Sequence, residues 1–105
     1  MTIIKYINLI RNKKIVGNCK LQLINNEAWI EKVLIYKQFR GLGYSIFLIK
    51  KAINLAKKIK IEIIYLHVKC DNFIAIKSYK KNGFIIIRKN YDKNKLFGYT
   101  MSLKI

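Results

Sequence analysis

One stretch dictates how this chain can be connected. Two β-branched runs, Ala28–Ile35 and Ile61–Lys69, flank residues 45–60, where Leu48, Ile49, Ala52, Ile53, Leu55, Ala56 and Ile59 recur at the spacing of a helix with one buried side. Strand, helix and strand in that order share a sheet only if the strands run parallel. Lys50, Lys51, Lys57 and Lys58 lie mostly off the apolar stripe and read as a solvated face. The turn that opens the helix is Arg40-Gly41-Leu42-Gly43-Tyr44-Ser45. Its glycines let the backbone come close to a bound group. Its N–H groups sit at the positive end of a helix, which suits a phosphate, and Arg40 adds a planar cationic fork. Two glycines after a strand also make an ordinary tight turn, so the turn alone does not decide.

The flanking sequence supplies the rest of the sheet. Ile3–Arg11, Ile15–Ile24 and Ala28–Ile35 read as strands joined by the polar turns Asn12-Lys13-Lys14 and Asn25-Asn26-Glu27. Gly17 marks a bulge or a close approach. After Ile61–Lys69, Asp71 or Asn72 caps a helix over Phe73–Lys81, which ends at Asn82-Gly83 with Gly83 left-handed. Phe84–Tyr91 and Leu96–Ile105 are the last strands, around the turn Asp92–Lys95. The order is βββ-α-β-α-ββ, an α/β (α+β) arrangement with a mixed sheet and no domain boundary in residues 1–105.

Composition narrows the function. The apolar fraction is 52%, enough for one core. No run reaches the roughly 18 apolar residues of a membrane helix, and Met1–Arg11 reads as a strand and not as a signal peptide. Cys19 and Cys70 have no metal-ligand spacing, and there is one histidine, so no metal is expected and a reducing, cytoplasmic setting is. The net charge of +17 suits an anionic partner. Lys, Ile and Asn make about half the chain, however, and all three have A/T-rich codons. The only arginines are Arg11, Arg40 and Arg88, whereas sites that read bases favour arginine. Nucleic acid is therefore not the expected partner.

Further residues join the glycine turn. Asn72, Ala75, Tyr79, Gly83 and Phe84 stand in the order N-x-x-A-x-x-x-Y-x-x-x-G-F, with 72, 75, 76 and 79 on one helix face. His67 points away from its neighbours Leu66 and Val68. Together with Arg40–Ser45 this pattern resembles the GCN5-related N-acetyltransferase (GNAT) family. There the glycine turn is the pyrophosphate loop and the Asn72–Phe84 string is a second acetyl-CoA segment. Leu66-His67-Val68, Arg88-Lys89-Asn90-Tyr91 and Tyr99-Thr100-Met101 look closest to the branch that acetylates protein N-termini, of the ribosomal-protein-alanine type.

The resemblance implies acetyl-CoA as co-substrate, an amine acceptor, and a sheet whose third strand splays from the strand after the first helix. Backbone groups of Val33, Leu34 and Ile35 would pair with the acetyl-pantetheine arm. N–H groups of Leu42, Gly43, Tyr44, Ser45 and Ile46, with Arg40 and Gly41, would hold the pyrophosphate, and Asn72 the arm. His67 would draw a proton from the amine and Tyr79 give one to the sulfur. Glu31 is a second candidate base. Trp29 stands where some relatives keep a tyrosine, but an indole accepts no proton. Cys70 reads as a packing residue.

Two departures bear on function. Ser45 replaces the usual Gly or Ala, so its hydroxyl either crowds a phosphate or bonds it. Met1 falls at what resembles the family's second strand, so the usual first strand and following helical pair are expected to be lacking. The acceptor site is then open, completed by a second subunit, or narrowed to a small substrate, and the free edge invites a homodimer. Three readings remain: acetylation of a protein N-terminus, acetylation of a small amine, and a degenerate basic module that binds nucleic acid.

Overall fold

A computed structural model describes residues 2–105; Met1 lies outside the described residues. The strands are β1 (Thr2–Arg11), β2 (Lys14–Ile24), β3 (Glu27–Ile35), β4 (Ile63–Lys69), β5 (Ile85–Asp92) and β6 (Lys95–Lys104), with helices α1 (Tyr44–Lys58) and α2 (Phe73–Lys81). They form one mixed sheet of order β1-β2-β3-β4-β6-β5. β3 and β4 are the parallel pair, as the crossover through α1 demands.

The hairpin turns follow from local backbone chemistry. Asn12 and Lys13 both have positive φ, as do Lys93 and Asn94, the geometry a two-residue turn needs to match strand twist. Helix α1 starts one residue earlier than its apolar spacing predicts and stops at Lys58, because Lys60 turns left-handed (φ 66) and breaks the ladder. β4 accordingly begins at Ile63 and not Ile61. A single 3-10 turn, Lys37–Phe39, occupies a stretch the periodicity left unassigned.

Both helices contribute to one core with alternate strand residues. Leu48, Ile49, Ala52 and Ala56 of α1 and Tyr79 of α2 join Ala28 and Ile30 of β3 and Ile64, Leu66 and Val68 of β4. Residues between them, Trp29, Tyr65 and His67, therefore face the other side. There the Trp29 ring stacks on Tyr65 at 4.9 Å and lies 5.0 Å from the His67 ring. Gly17 is a close-approach site: a Cβ there would lie 2.5 Å from the Leu34 carbonyl oxygen.

Candidate active site

The sheet forks at its centre. Parallel pairing of β3 with β4 runs from Glu27↔Ile63 to Ile30↔Leu66 and stops. Beyond that point β3 stays with β2 as far as Ile35↔Gly17, and β4 stays with β6 as far as Lys69↔Gly98. Glu31 to Ile35 thus face His67 to Lys69 across a gap with no ladder between them. The cause is local. Lys20 pairs with Glu31 but Asn18 with Leu34, so β3 holds one extra residue there. Lys32 sits in that bulge with φ 51. A bulge bends its strand and sharpens the twist, which swings the end of β3 away from β4.

The cleft so formed is lined by Lys32 and Val33 on one side, His67 and Lys69 on the other, and Asn72 and Tyr79 of α2 below. The fork explains how His67 and Tyr79 line one cleft although they belong to opposite faces of the sheet. Tyr79 is 6% exposed. Its hydroxyl has no protein partner, yet no buried polar side-chain atom lacks one among the described residues, so the hydroxyl reaches into the cleft. Burial, and after it the Cys19 thiol, push this phenol up to about 12. At neutral pH it keeps its proton and can donate it. Burial likewise pushes Cys19, behind the bulge, up to about 12.

β3 leads through the 3-10 turn Lys37–Phe39 into the glycine loop. Gly41 and Gly43 have φ of 80 and 79, and a Cβ on either would meet nothing within 4 Å. Glycine is needed there for its backbone angles and not for space. Among the described residues, the amides of Gly41, Leu42, Gly43, Tyr44 and Ser45 have no backbone partner, whereas that of Ile46 has the Gly43 carbonyl at 3.3 Å. The free run therefore lies one residue earlier than Leu42–Ile46. Arg40 Nε donates to the Ile35 carbonyl at 2.9 Å, so Arg40 braces the exit of β3 and keeps its other nitrogens for a ligand. Ser45 neither crowds the loop nor faces it: its Oγ lies 2.7 Å from Ser78 Oγ and ties α1 to α2. Asn82 Nδ2 makes a second tie, to the Ile46 carbonyl at 3.2 Å.

Asn72, not Asp71, caps α2. Its Oδ1 accepts from the Ala75 amide at 3.2 Å, which leaves Nδ2 for the cleft. The Cys70 thiol donates to the Leu96 carbonyl at 3.6 Å. His67 is exposed, and its Nδ1 lies 3.0 Å from Thr100 Oγ1. Arg88 and Asn90 of β5 converge on the same hydroxyl. Periodicity missed Thr100 as a site residue; its one signal is a hydroxyl between the hydrophobic residues Tyr99 and Met101 of β6. Lys32 also escaped, since nothing in its neighbours marks a bulge. A second cleft lies beside His67, bordered by Lys69, Arg88, Lys89, Tyr91 and Tyr99, so His67 stands between the two.

No helix among the described residues is long and apolar enough to cross a membrane. No curated protein sequence matches the chain significantly. Solved structures do match. The ribosomal-protein-alanine N-acetyltransferase of Escherichia coli superposes with a TM-score of 0.83 at 22% identity, over 97% of this chain and 69% of that one. The paia N-acetyltransferase of Thermoplasma acidophilum, solved with coenzyme A, gives 0.80 at 22%, over 97% and 61%. A spermidine N-acetyltransferase chimera, part of it from Vibrio cholerae, gives 0.84 at 21%, over 96% and 69%. This chain thus spans between three fifths and seven tenths of those relatives. At such identities they show a shared fold. The profile of the acetyltransferase (GNAT) family matches residues 4–84, and with that match over most of its length the chain belongs to the GNAT acetyltransferase family.

Proposed function

We propose that this protein is an acetyl-CoA-dependent N-acetyltransferase that passes acetyl directly from the thioester to an amine. The observation that carries the reading is the fork, whose β3 side continues, after one 3-10 turn, into five amides with no backbone partner. The edge of β3 from Val33 to Ile35, which has no ladder on its β4 side, suits an extended amide-bearing arm, which adds to that edge as a strand would. Gly41 to Ser45, with Arg40 beside them, suit its diphosphate. Nδ2 of Asn72 remains for the arm. The Tyr79 hydroxyl hydrogen-bonds the leaving sulfur, and His67 stands beside the incoming amine. Coenzyme A in two of the matched fold's solved complexes agrees with this choice of co-substrate.

The acceptor in this reading is a protein N-terminal α-amine. The likeness to the ribosomal-protein-alanine enzymes supports it. So does charge: a small polycation would meet Lys69, Arg88 and Lys89 in the second cleft, with no carboxylate lining it. An α-amine, with a pKa of roughly 7.7–8.0, is also neutral far more often at pH 7 than an alkylamine near ~10.4. Exposed Ile4, Tyr6 and Ile10 on the edge strand β1 support pairing of two copies there; a fully active monomer at high concentration would remove that part. Calorimetric titration with coenzyme A, followed by acetyl transfer to peptides and to spermidine, tests the whole. No coenzyme A binding overturns the reading, and a preference for spermidine overturns the acceptor. His67→Ala and Tyr79→Phe should each slow transfer while binding persists; unchanged rate constants in both would remove those two roles.

A further inference from the structure

The hydrogen bonds behind His67 form a closed chain of donors and acceptors. Arg88 donates from Nε to Asn90 Oδ1 at 3.0 Å. A guanidinium has no acceptor, so the Asn90 atom facing it is the oxygen. The Asn90 amide nitrogen is thereby turned to Thr100 Oγ1 at 3.1 Å. Arg88 Nη2 donates to the same oxygen at 3.3 Å. A hydroxyl has two lone pairs and one hydrogen. With both lone pairs engaged, the Thr100 hydrogen is left for His67 Nδ1, 3.0 Å away. Nδ1 is then the acceptor of the ring, and the proton of the neutral imidazole sits on Nε2.

We infer that Thr100, oriented by Asn90 and Arg88, fixes His67 in the Nε2–H tautomer, so that the imidazole meets the acceptor substrate as a hydrogen-bond donor and not as a base. The basic lone pair of the ring points at the hydroxyl of Thr100, a residue only 2% exposed, where no amine reaches it. Placing a proton on Nδ1 would bring a third donor to a filled oxygen, and Arg88 or Asn90 would have to let go. Trp29, packed 5.0 Å from the imidazole, restricts the ring further. Arg88, Asn90 and Thr100 are positioning residues in this account. The exposed Nε2–H holds an oxygen of the acceptor, and the amine loses its proton to solvent. The tautomer follows from this network alone; its catalytic meaning rests on the acetyltransferase reading.

His67 is the only histidine of the chain, so its ring nitrogens are read without assignment. Long-range proton–nitrogen correlation on the labelled full chain at about pH 8.5, above the ordinary imidazole range, reports the tautomer directly. The expected spectrum has Nδ1 as the unprotonated nitrogen and Nε2 as the protonated one. Thr100→Val keeps the shape of the buried side chain and removes the hydroxyl; its two nitrogen shifts should move toward each other, and Thr100→Ser should restore them. Transfer should slow about fivefold in the valine variant, the worth of one lost hydrogen bond, and recover with serine. An Nδ1–H tautomer in the native chain, or a valine variant with an unchanged spectrum, overturns the inference. Failure to bind coenzyme A would instead overturn the enzymatic reading and leave the spectrum to decide the tautomer.

Discussion

If the fork exists because β3 carries an extra residue, then the conformation of Lys32 should control both stability and cofactor binding. Lys32 is exposed and left-handed, so its contribution is mainly that of its backbone. A non-glycine residue in that region costs about 1–2 kcal/mol. Lys32→Gly removes this strain but restores about 0.4–1 kcal/mol of freedom to the unfolded chain, for a net gain between about 0 and about 1.6 kcal/mol. Lys32→Val has the opposite effect, because a β-branched residue is a strong outlier at positive φ. It should lose at least about 1 kcal/mol, or flatten the bulge and let β3 pair with β4. Both variants lack the lysine charge, so the difference between them isolates the backbone. Urea unfolding followed by fluorescence of Trp29, the single tryptophan, should separate them by about 2 kcal/mol, roughly 8 °C in Tm. Calorimetric titration with coenzyme A should show glycine binding at least tenfold more tightly than valine, since a closed fork removes two or more backbone hydrogen bonds at about 1 kcal/mol each. Equal stability and equal affinity in the two variants would refute the link from bulge to fork.

Other positions give independent checks. Gly17→Ala and Gly98→Ala place a Cβ 2.5 Å and 2.6 Å from backbone carbonyl oxygens and should each cost about 1–3 kcal/mol in urea unfolding. Asn72→Asp keeps the oxygen that caps α2 but loses the amide donor, so helix stability should hold while coenzyme A affinity in calorimetry falls. Cys19 and Tyr79 are raised by burial from 9.0 and 10.0 to about 12. The folded state therefore binds their protons more tightly than the unfolded one. The associated stability is complete below about pH 9 and is lost as pH rises toward 12; Cys19→Ala should flatten that decline in alkaline unfolding curves.

Much of the fold was legible because it rests on local signals. Alternation in β1 to β3, the apolar stripe of α1, and Gly83 after α2 each point to one backbone conformation. The crossover rule then sets β3 beside β4 in parallel. Boundaries moved where a single residue overrode the pattern, as at Lys60, whose left-handed turn ends α1 before its stripe does. Ser45 shows the same limit for a side chain: its place in the loop was readable, but its hydroxyl turns to Ser78, 33 residues away.

What the residue order alone determined is a strand, a glycine loop and a helix that leave a run of backbone amides without partners. It did so because backbone angles and helix periodicity are properties of neighbours. Tertiary structure alone decided where the sheet opens and what His67 can do with its proton. Both depend on partners distant in the chain: Cys19 and Lys20 opposite the β3 bulge, and Thr100, Asn90 and Arg88 behind the imidazole. A hydrogen atom on one ring nitrogen is chosen by lone pairs on another strand, and no spacing rule within β4 records that choice.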